Sequence, residues 1–379
     1  MGGVNHRETR ARNLGHTHTF TMPDLICPTD LPSSMTDSAQ QLLSAALTPE
    51  RGRTVWIADE QCELSLLAPI APRDDLIALS NRCDVAAALR ARGYRAELSD
   101  FDFSVYAAGS LDTVVYRISK EKAVVHHVIN AALERLRAGG ELWLGGGKNE
   151  GIKTYLDKAA QRAGGRVEIE RHGPVWRGVI TRGEALGEPL DDQRYSELRE
   201  MVSADGLSIW SKPGIYGWQK IDIGSQLLAD QFAEVWPQAP ASVLDIGCGY
   251  GYLSLRAAAL WPQAQLVATD NNIAAVRACE KNLAPFRARA DVVLADCADG
   301  IGQSFEAVIC NPPFHQGFDI DGDLTTRFLR AARERLQRKG RALFVVNQFI
   351  PLERRAQPLF RQVRELVRAH GFKIVLLEP

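Results

Sequence analysis

The chain has 379 residues, 45% of them apolar and 24% charged, so it is long enough for two domains, and disordered, collagen-like and membrane-spanning architectures are excluded. No apolar run reaches the roughly 18 residues of a membrane helix, and the polar start, broken by Pro23 and Pro28, is not built like a signal peptide, which reads as a cytosolic protein. The net charge of -1 gives no global pull toward nucleic acid, and seven scattered cysteines without a CxxC pair read as reduced thiols, with no disulfide frame and no metal site.

Residues 1–34 read as a loose leader, with ordered helix expected to start near Met35. From there one pattern is written twice. In the first copy, Thr54–Ala58, Leu76–Leu89, Leu111–Tyr116 and Ile129–Gly145 supply strands and an amphipathic helix, and His172-Gly173 opens a closing strand at Trp176–Thr181. In the second, Ser242–Ile246, Leu266–Cys279, Phe305–Cys310 and Phe328–Val345 repeat the order, and His370-Gly371 opens Phe372–Leu377. Gly183–Asp192, rich in Gly, Pro and charge, suits an exposed linker. The domains are placed at 35–185 and 200–379, joined by 186–199. Short β-branched runs alternating with helical periods predict an α/β fold: a mostly parallel sheet with helices on both faces, in two tandem copies.

The chemistry concentrates in the second copy. Strand Val243–Ile246 runs into Asp245-Ile246-Gly247-Cys248-Gly249-Tyr250-Gly251, where alternate glycines let backbone turn sharply and approach a ligand. Tight strand-to-helix turns also use glycine for packing alone, but a nicotinamide loop would read GxGxxG, and this one reads DxGxGxG. The next strand ends in Asp270, placed to accept from adjacent ribose hydroxyls or simply to cap the following helix. A third strand, Val292–Ala295, ends in Asp296, placed to meet an adenine amino group. Three acids at successive strand ends around a glycine loop describe an adenosine site. The fourth strand ends in Asn311-Pro312-Pro313-Phe314. Prolines have no N–H to donate and leave carbonyls free, Asn311 adds a side-chain acceptor, and Phe314 offers a stacking face, a set suited to an aromatic NH2 group.

This constellation resembles the class I S-adenosylmethionine-dependent methyltransferases that modify amines through an (N/D)PP(F/Y) motif. With Pro213-Gly214-Ile215-Tyr216, Asp222-Ile223-Gly224-Ser225, the glycine loop, Asn311–His315 and the tandem halves, it is similar to the ribosomal RNA guanine-N2 methyltransferases of the RsmC and RlmG type from about residue 37 onward, although Tyr216-Gly217 stands where those more often have Phe-Ser. The resemblance implies two Rossmann-like domains with a C-terminal antiparallel hairpin, S-adenosylmethionine as cofactor, and ribosomal RNA or a ribosomal subunit as partner of a cytoplasmic monomer. It implies cofactor contacts at Asp245, Gly247, Gly249, Gly251, Asp270, Asp296 and Asn311, with Tyr216 and Asp222 in a segment closing over the cofactor. Asn311, Pro312, Pro313 and Phe314 would orient the target amine. His315 reads as structural or as a substrate neighbour. The run Val346-Asn347-Gln348-Phe349-Ile350-Pro351 leans toward the small-subunit members.

The first copy lacks this equipment. Ala58-Asp59-Glu60-Gln61-Cys62 has no glycine, Ser80-Asn81 replaces the ribose acid, and Arg117-Ile118-Ser119-Lys120 replaces Asn-Pro-Pro-Phe. It reads as a degenerate copy serving RNA binding or structural support. Between Arg327 and Lys373 thirteen basic residues face three acidic ones, either a solvated helix face or a track for phosphates. The rival activities are large-subunit RNA methylation, methylation of DNA adenine or protein glutamine, and a non-catalytic RNA-binding assembly role.

Overall fold

The computed structural model describes residues 38–204, 207–313 and 322–379. Two seven-stranded sheets carry the chain, with the same strand order in each. The first holds β1 (Thr54–Ile57), β2 (Leu76–Ser80), β3 (Arg95–Leu98), β4 (Leu111–Arg117), β5 (Leu136–Gly147), β6 (Val167–His172) and β7 (Val175–Thr181), ordered β3-β2-β1-β4-β5-β7-β6. A separate hairpin, β8 (Arg199–Ala204) and β9 (Leu207–Ser211), precedes the second sheet. That sheet holds β10 (Ser242–Ile246), β11 (Gln265–Asp270), β12 (Ala290–Leu294), β13 (Phe305–Cys310), β14 (Leu336–Asn347), β15 (Gln362–Ala369) and β16 (Phe372–Glu378), ordered β12-β11-β10-β13-β14-β16-β15.

The five strands on one side of each sheet are parallel and the last two form an antiparallel hairpin, so the expected tandem Rossmann-like architecture is present. Central strands β1 and β10 are almost wholly buried because helices cover both faces, which is why they read as continuous apolar runs. The strand order reverses beside β10, between β11 and β13. Ligands bind in the crevice outside the carboxyl ends of such strands.

Residues 186–199 run against the first copy: Asn130 donates to the Leu190 carbonyl at 2.8 Å and accepts its amide at 2.9 Å, and Tyr195 is buried. The two copies also meet strand end to strand end. Arg82 and Asn272, which occupy equivalent places in the duplicated pattern, form an antiparallel bridge. Cys83 N donates to Asn271 O at 2.9 Å, and the equivalent Ile273 N donates to Asn81 O at 3.0 Å. Equivalent residues meeting each other define a local two-fold relation between the copies.

The basic C-terminal stretch does not form one face. It is spread over the helix Gly322–Arg335, β14 and edge strand β15. Lys373 pairs with Glu353, Arg368 with Glu365 and Arg341 with Glu378. Arg338 and Lys339 stand near Arg361 at the opposite end of the sheet from Asn311, so a single phosphate track through them to the strand-end crevice is not what the fold builds. Among the described residues no helix is long and apolar enough to cross a membrane, and no group of His, Cys, Asp and Glu is arranged to hold a metal. Cys27, Phe314 and His315 lie outside the described residues.

Candidate functional site

β10 delivers the chain into a loop in which Gly247, Gly249 and Gly251 all have positive φ, of 74°, 55° and 88°. Gly247 N and Cys248 N both donate to Thr269 O, at 2.8 and 2.9 Å, and Gly249 N donates to the Asp270 carboxylate at 2.9 Å. Asp270 therefore ties the loop down and also accepts from Asn272 N at 2.9 Å; burial pushes its carboxyl above the usual range. Gly251 does not line the cavity. A Cβ there would meet Cys279 Sγ at 2.6 Å, so this glycine serves the packing of the helix Tyr252–Leu260 against its neighbour. Asp245 is likewise set behind the loop, fully buried, accepting from Ser254 Oγ at 2.7 Å. Burial pushes it up to about 7, and its Oδ1 has no hydrogen-bond partner among the described residues. Neither Gly251 nor Asp245 is among the residues lining the cavity.

At the end of β13, Asn311 Nδ2 donates to Asp222 at 3.0 Å and to Ser225 Oγ at 2.8 Å. A carboxylate only accepts, so the amide nitrogen must face Asp222 and Oδ1 is left as the outward acceptor. Asp222 also caps the helix Ile223–Ala229 through Ser225 N at 2.8 Å and accepts from Tyr216 at 3.1 Å. The segment singled out in the sequence thus props the asparagine. Pro312 and Pro313 continue the same wall.

These pieces surround one cavity of about 380 Å3, within the range of small-molecule sites. Gly247, Gly249, Asp270, Asp296, Asn311, Tyr216 and Asp222 all line it. Asp296 does so while paired with Arg327. A Cβ added at Gly249 would meet nothing within 4 Å, so bare backbone faces open space there. The opposite wall comes from the first copy: Asp59, Glu60, Asn81, Arg82, Phe101 and Val124.

The second sheet matches the methyltransferase small domain over residues 206–376. The ribosomal RNA small subunit methyltransferase C of Pseudomonas fluorescens is 30% identical over 258 residues, 67% of this chain and 74% of that protein. Its namesake in Pseudomonas aeruginosa is 30% identical over 268 residues, 70% of this chain and 79% of that one. The chain belongs to this methyltransferase family. Among solved structures, the T. thermophilus 16S rRNA N2 G1207 methyltransferase (RsmC) in complex with AdoMet and guanosine superposes with a TM-score of 0.77 at 25% identity, covering 91% of this chain and 93% of that one.

In this family member the degenerate copy cannot hold a second cofactor the same way. Its glycine-free loop keeps Asp59 buried, with a carboxyl raised well above the usual range by burial and by Glu60. Arg117, where the second copy has Asn311, is taken by Glu150 in a two-pronged ion pair at 2.6 and 3.0 Å. Sequence reasoning missed three contributors: Ser225, which holds Asn311; Arg327, which holds Asp296; and Arg82. Burial works against the Arg82 charge, but Asp84, Glu60, Asp270 and Asp296 outweigh it and push its pKa up. The duplication was the available signal for Arg82, because it aligns with Asn272, two residues beyond Asp270.

A buried clasp joins the copies next to this cavity. Lys212, just before Pro213-Gly214, donates to Asp100 at 2.7 Å, and Tyr195 donates to the other Asp100 oxygen at 2.6 Å. Only 3% of the Lys212 side chain and 8% of that of Asp100 are exposed.

Proposed function

We propose that the protein transfers a methyl group from S-adenosylmethionine to the exocyclic N2 of a guanosine in small-subunit ribosomal RNA, within the second copy. Residues 200–379 would hold the reaction, residues 35–185 would form its second wall, and 186–199 would join them in a monomer acting in the cytoplasm. The observation that carries this reading is Asn311 Oδ1, fixed as an acceptor by Asp222 and Ser225 in the cavity that also holds the glycine loop. Curated relatives named for small-subunit ribosomal RNA and a solved relative bound to AdoMet and guanosine support the substrate and the cofactor.

The cavity fits the cofactor: open space before Gly249, acceptors at Asp270 and Asp296, and a crevice at the strand-order reversal. When bound, S-adenosylmethionine supplies a methyl already activated on a sulfonium. The protein's own work is placement, which can lower a barrier by roughly 7–11 kcal/mol. Asn311 Oδ1 and the carbonyl beside the prolines accept the two amine hydrogens. That would withdraw the nitrogen lone pair from the ring and leave it free to attack; as the N–CH3 bond forms the sulfonium S–CH3 bond would break to leave a neutral thioether, and the surplus amine proton would pass to water. The base must leave its helical stack to reach this depth.

Mass-spectrometric mapping of methylguanosine in both ribosomal RNAs, with and without the gene, tests the proposal. One N2-methylguanosine should disappear from the small-subunit RNA and return when purified protein and S-adenosylmethionine are added. Loss from large-subunit RNA, or no loss, would refute it.

A further inference from the structure

Six large apolar side chains stand exposed among the described residues, and three of them, Tyr216, Ile223 and Phe349, lie on segments that reach the ends of β13 and β14. Single exposed apolar residues are ordinary, whereas a group beside a site asks for a partner. Phe349 is the most exposed of the six, at 72%. It is not on a loose loop: Phe349 N donates to Asn347 Oδ1 at 3.1 Å, Ile350 N to Asn347 O at 3.0 Å, and Gln348 N to Gly371 O at 2.9 Å. These bonds fix the backbone that carries the exposed ring.

That backbone adjoins the target site. β14 runs beside β13 with Phe344 opposite Cys310, so Asn347 stands just past the level of Asn311 one strand away. Asn347 pairs with Phe372, and the Phe372 ring lies 3.0 Å from where a Cβ on Gly224 would be, which brings Ile223 to the same rim. Tyr216 reaches that rim through Asp222, which also holds Asn311.

We propose that Phe349 is a stacking platform for an unpaired base of the RNA strand next to the extruded guanosine, with Ile223 and Tyr216 continuing the apolar rim. The inference rests on the RNA-guanine reading above. A base drawn into the cavity leaves its neighbours without a stacking face, and an aromatic ring held rigidly at the mouth replaces it without regard to which base is there. We take the partner to be a nucleobase rather than a protein surface because the ring stands beside the strand ends that carry Asn311.

The test compares Phe349→Ala, Phe349→Trp and Phe349→Leu in the full chain, on naked small-subunit RNA and on the assembled subunit, with cofactor affinity measured by calorimetry. Phe349→Ala should raise KM for RNA about ten-fold with cofactor affinity unchanged; Phe349→Trp should restore it, and Phe349→Leu, apolar but without a ring, should not. Rescue by leucine as good as by tryptophan, an unchanged KM, or a defect seen only on the assembled subunit would overturn the proposal, the last in favour of a protein contact. Wild-type protein that methylates no guanosine would instead overturn the underlying reading, and this one with it.

Discussion

Two glycines of one loop should fail in opposite ways. Alanine at either position enters the left-handed region, which costs about 1–2 kcal/mol. At Gly249 that is all the fold loses, because its Cβ meets nothing within 4 Å. At Gly251 the Cβ lands 2.6 Å from Cys279 Sγ and 3.4 Å from the Cys279 Cα, and Cys279 is fully buried in the helix Ile273–Leu283, so neither side can withdraw. Overpacking of this kind adds about 1–3 kcal/mol. At about 2–4 °C per kcal/mol for a domain of 150–250 residues, Gly249→Ala should melt about 2–8 °C below wild type and Gly251→Ala about 4–20 °C below, the lower of the two. Calorimetric titration with S-adenosylmethionine should reverse the order. The Gly249 Cβ stands in the cavity and should weaken binding about 5- to 150-fold, while Gly251→Ala, kept below its melting point, should bind within a few-fold of wild type. Adding Cys279→Ala to Gly251→Ala should recover part of the lost stability, because it removes the closest clashing atom. Wild-type affinity in Gly249→Ala, or wild-type stability in Gly251→Ala, would refute the division of labour.

Lys212→Met should destabilise the protein by about 3–5 kcal/mol in urea denaturation, because it strands the buried Asp100 with Tyr195 as its remaining donor; a change under about 1 kcal/mol would mean that the clasp is dispensable. Asn311→Ala should bind cofactor yet lose on the order of 100-fold in kcat, about 3 kcal/mol; full turnover would remove Asn311 from the chemistry. Asp245, held up to about 7 by burial, keeps its proton in the folded protein well above its unfolded value. Its contribution to stability is therefore full below about pH 4 and is lost as pH rises through about 7. Asp245→Asn removes that dependence, so the stability difference between variant and wild type should shift in favour of the variant across this window. A difference that stays constant from pH 4 to 8 would contradict it.

The sheet order and the strand-end acids were legible because they follow from local periodicity written twice. β10, β11 and β13 lie within a residue or two of the expected runs, and Asp270, Asp296 and Asn311 stand where strand ends put them. β15 was not legible: none of its residues is buried, and a register shift between Glu365 and Val367 breaks the two-residue alternation, so its arginines looked like a helix face. A loop motif fixes spacing along the chain but not which positions face the crevice, so nothing in it separates Gly247 and Gly249, which line the cavity, from Gly251 and Asp245, which do not. Cross-copy pairings such as Arg82 with Asn272 leave no trace in either copy alone.

Arg82 shows what tethering makes possible. In a pair related by a strict two-fold, equivalent positions must carry the same residue, whereas two copies on one chain can differ across their shared axis. Asn272 accepts from Ala274 N at 2.9 Å and so caps its helix. Arg82, in the same place before the helix Cys83–Ala91, makes no side-chain cap. Losing such a cap costs about 1 kcal/mol, so arginine is the locally worse choice there. What it gains is a permanent cation among Asp84 and Glu60 of its own copy and Asp270 and Asp296 of the other, where an asparagine would leave like charges facing one another around the cavity. A residue that breaks a local rule and joins acids of both copies has a cross-copy role. The first copy, with no glycine in the corresponding loop, thereby contributes a cation to the wall of the cavity it covers.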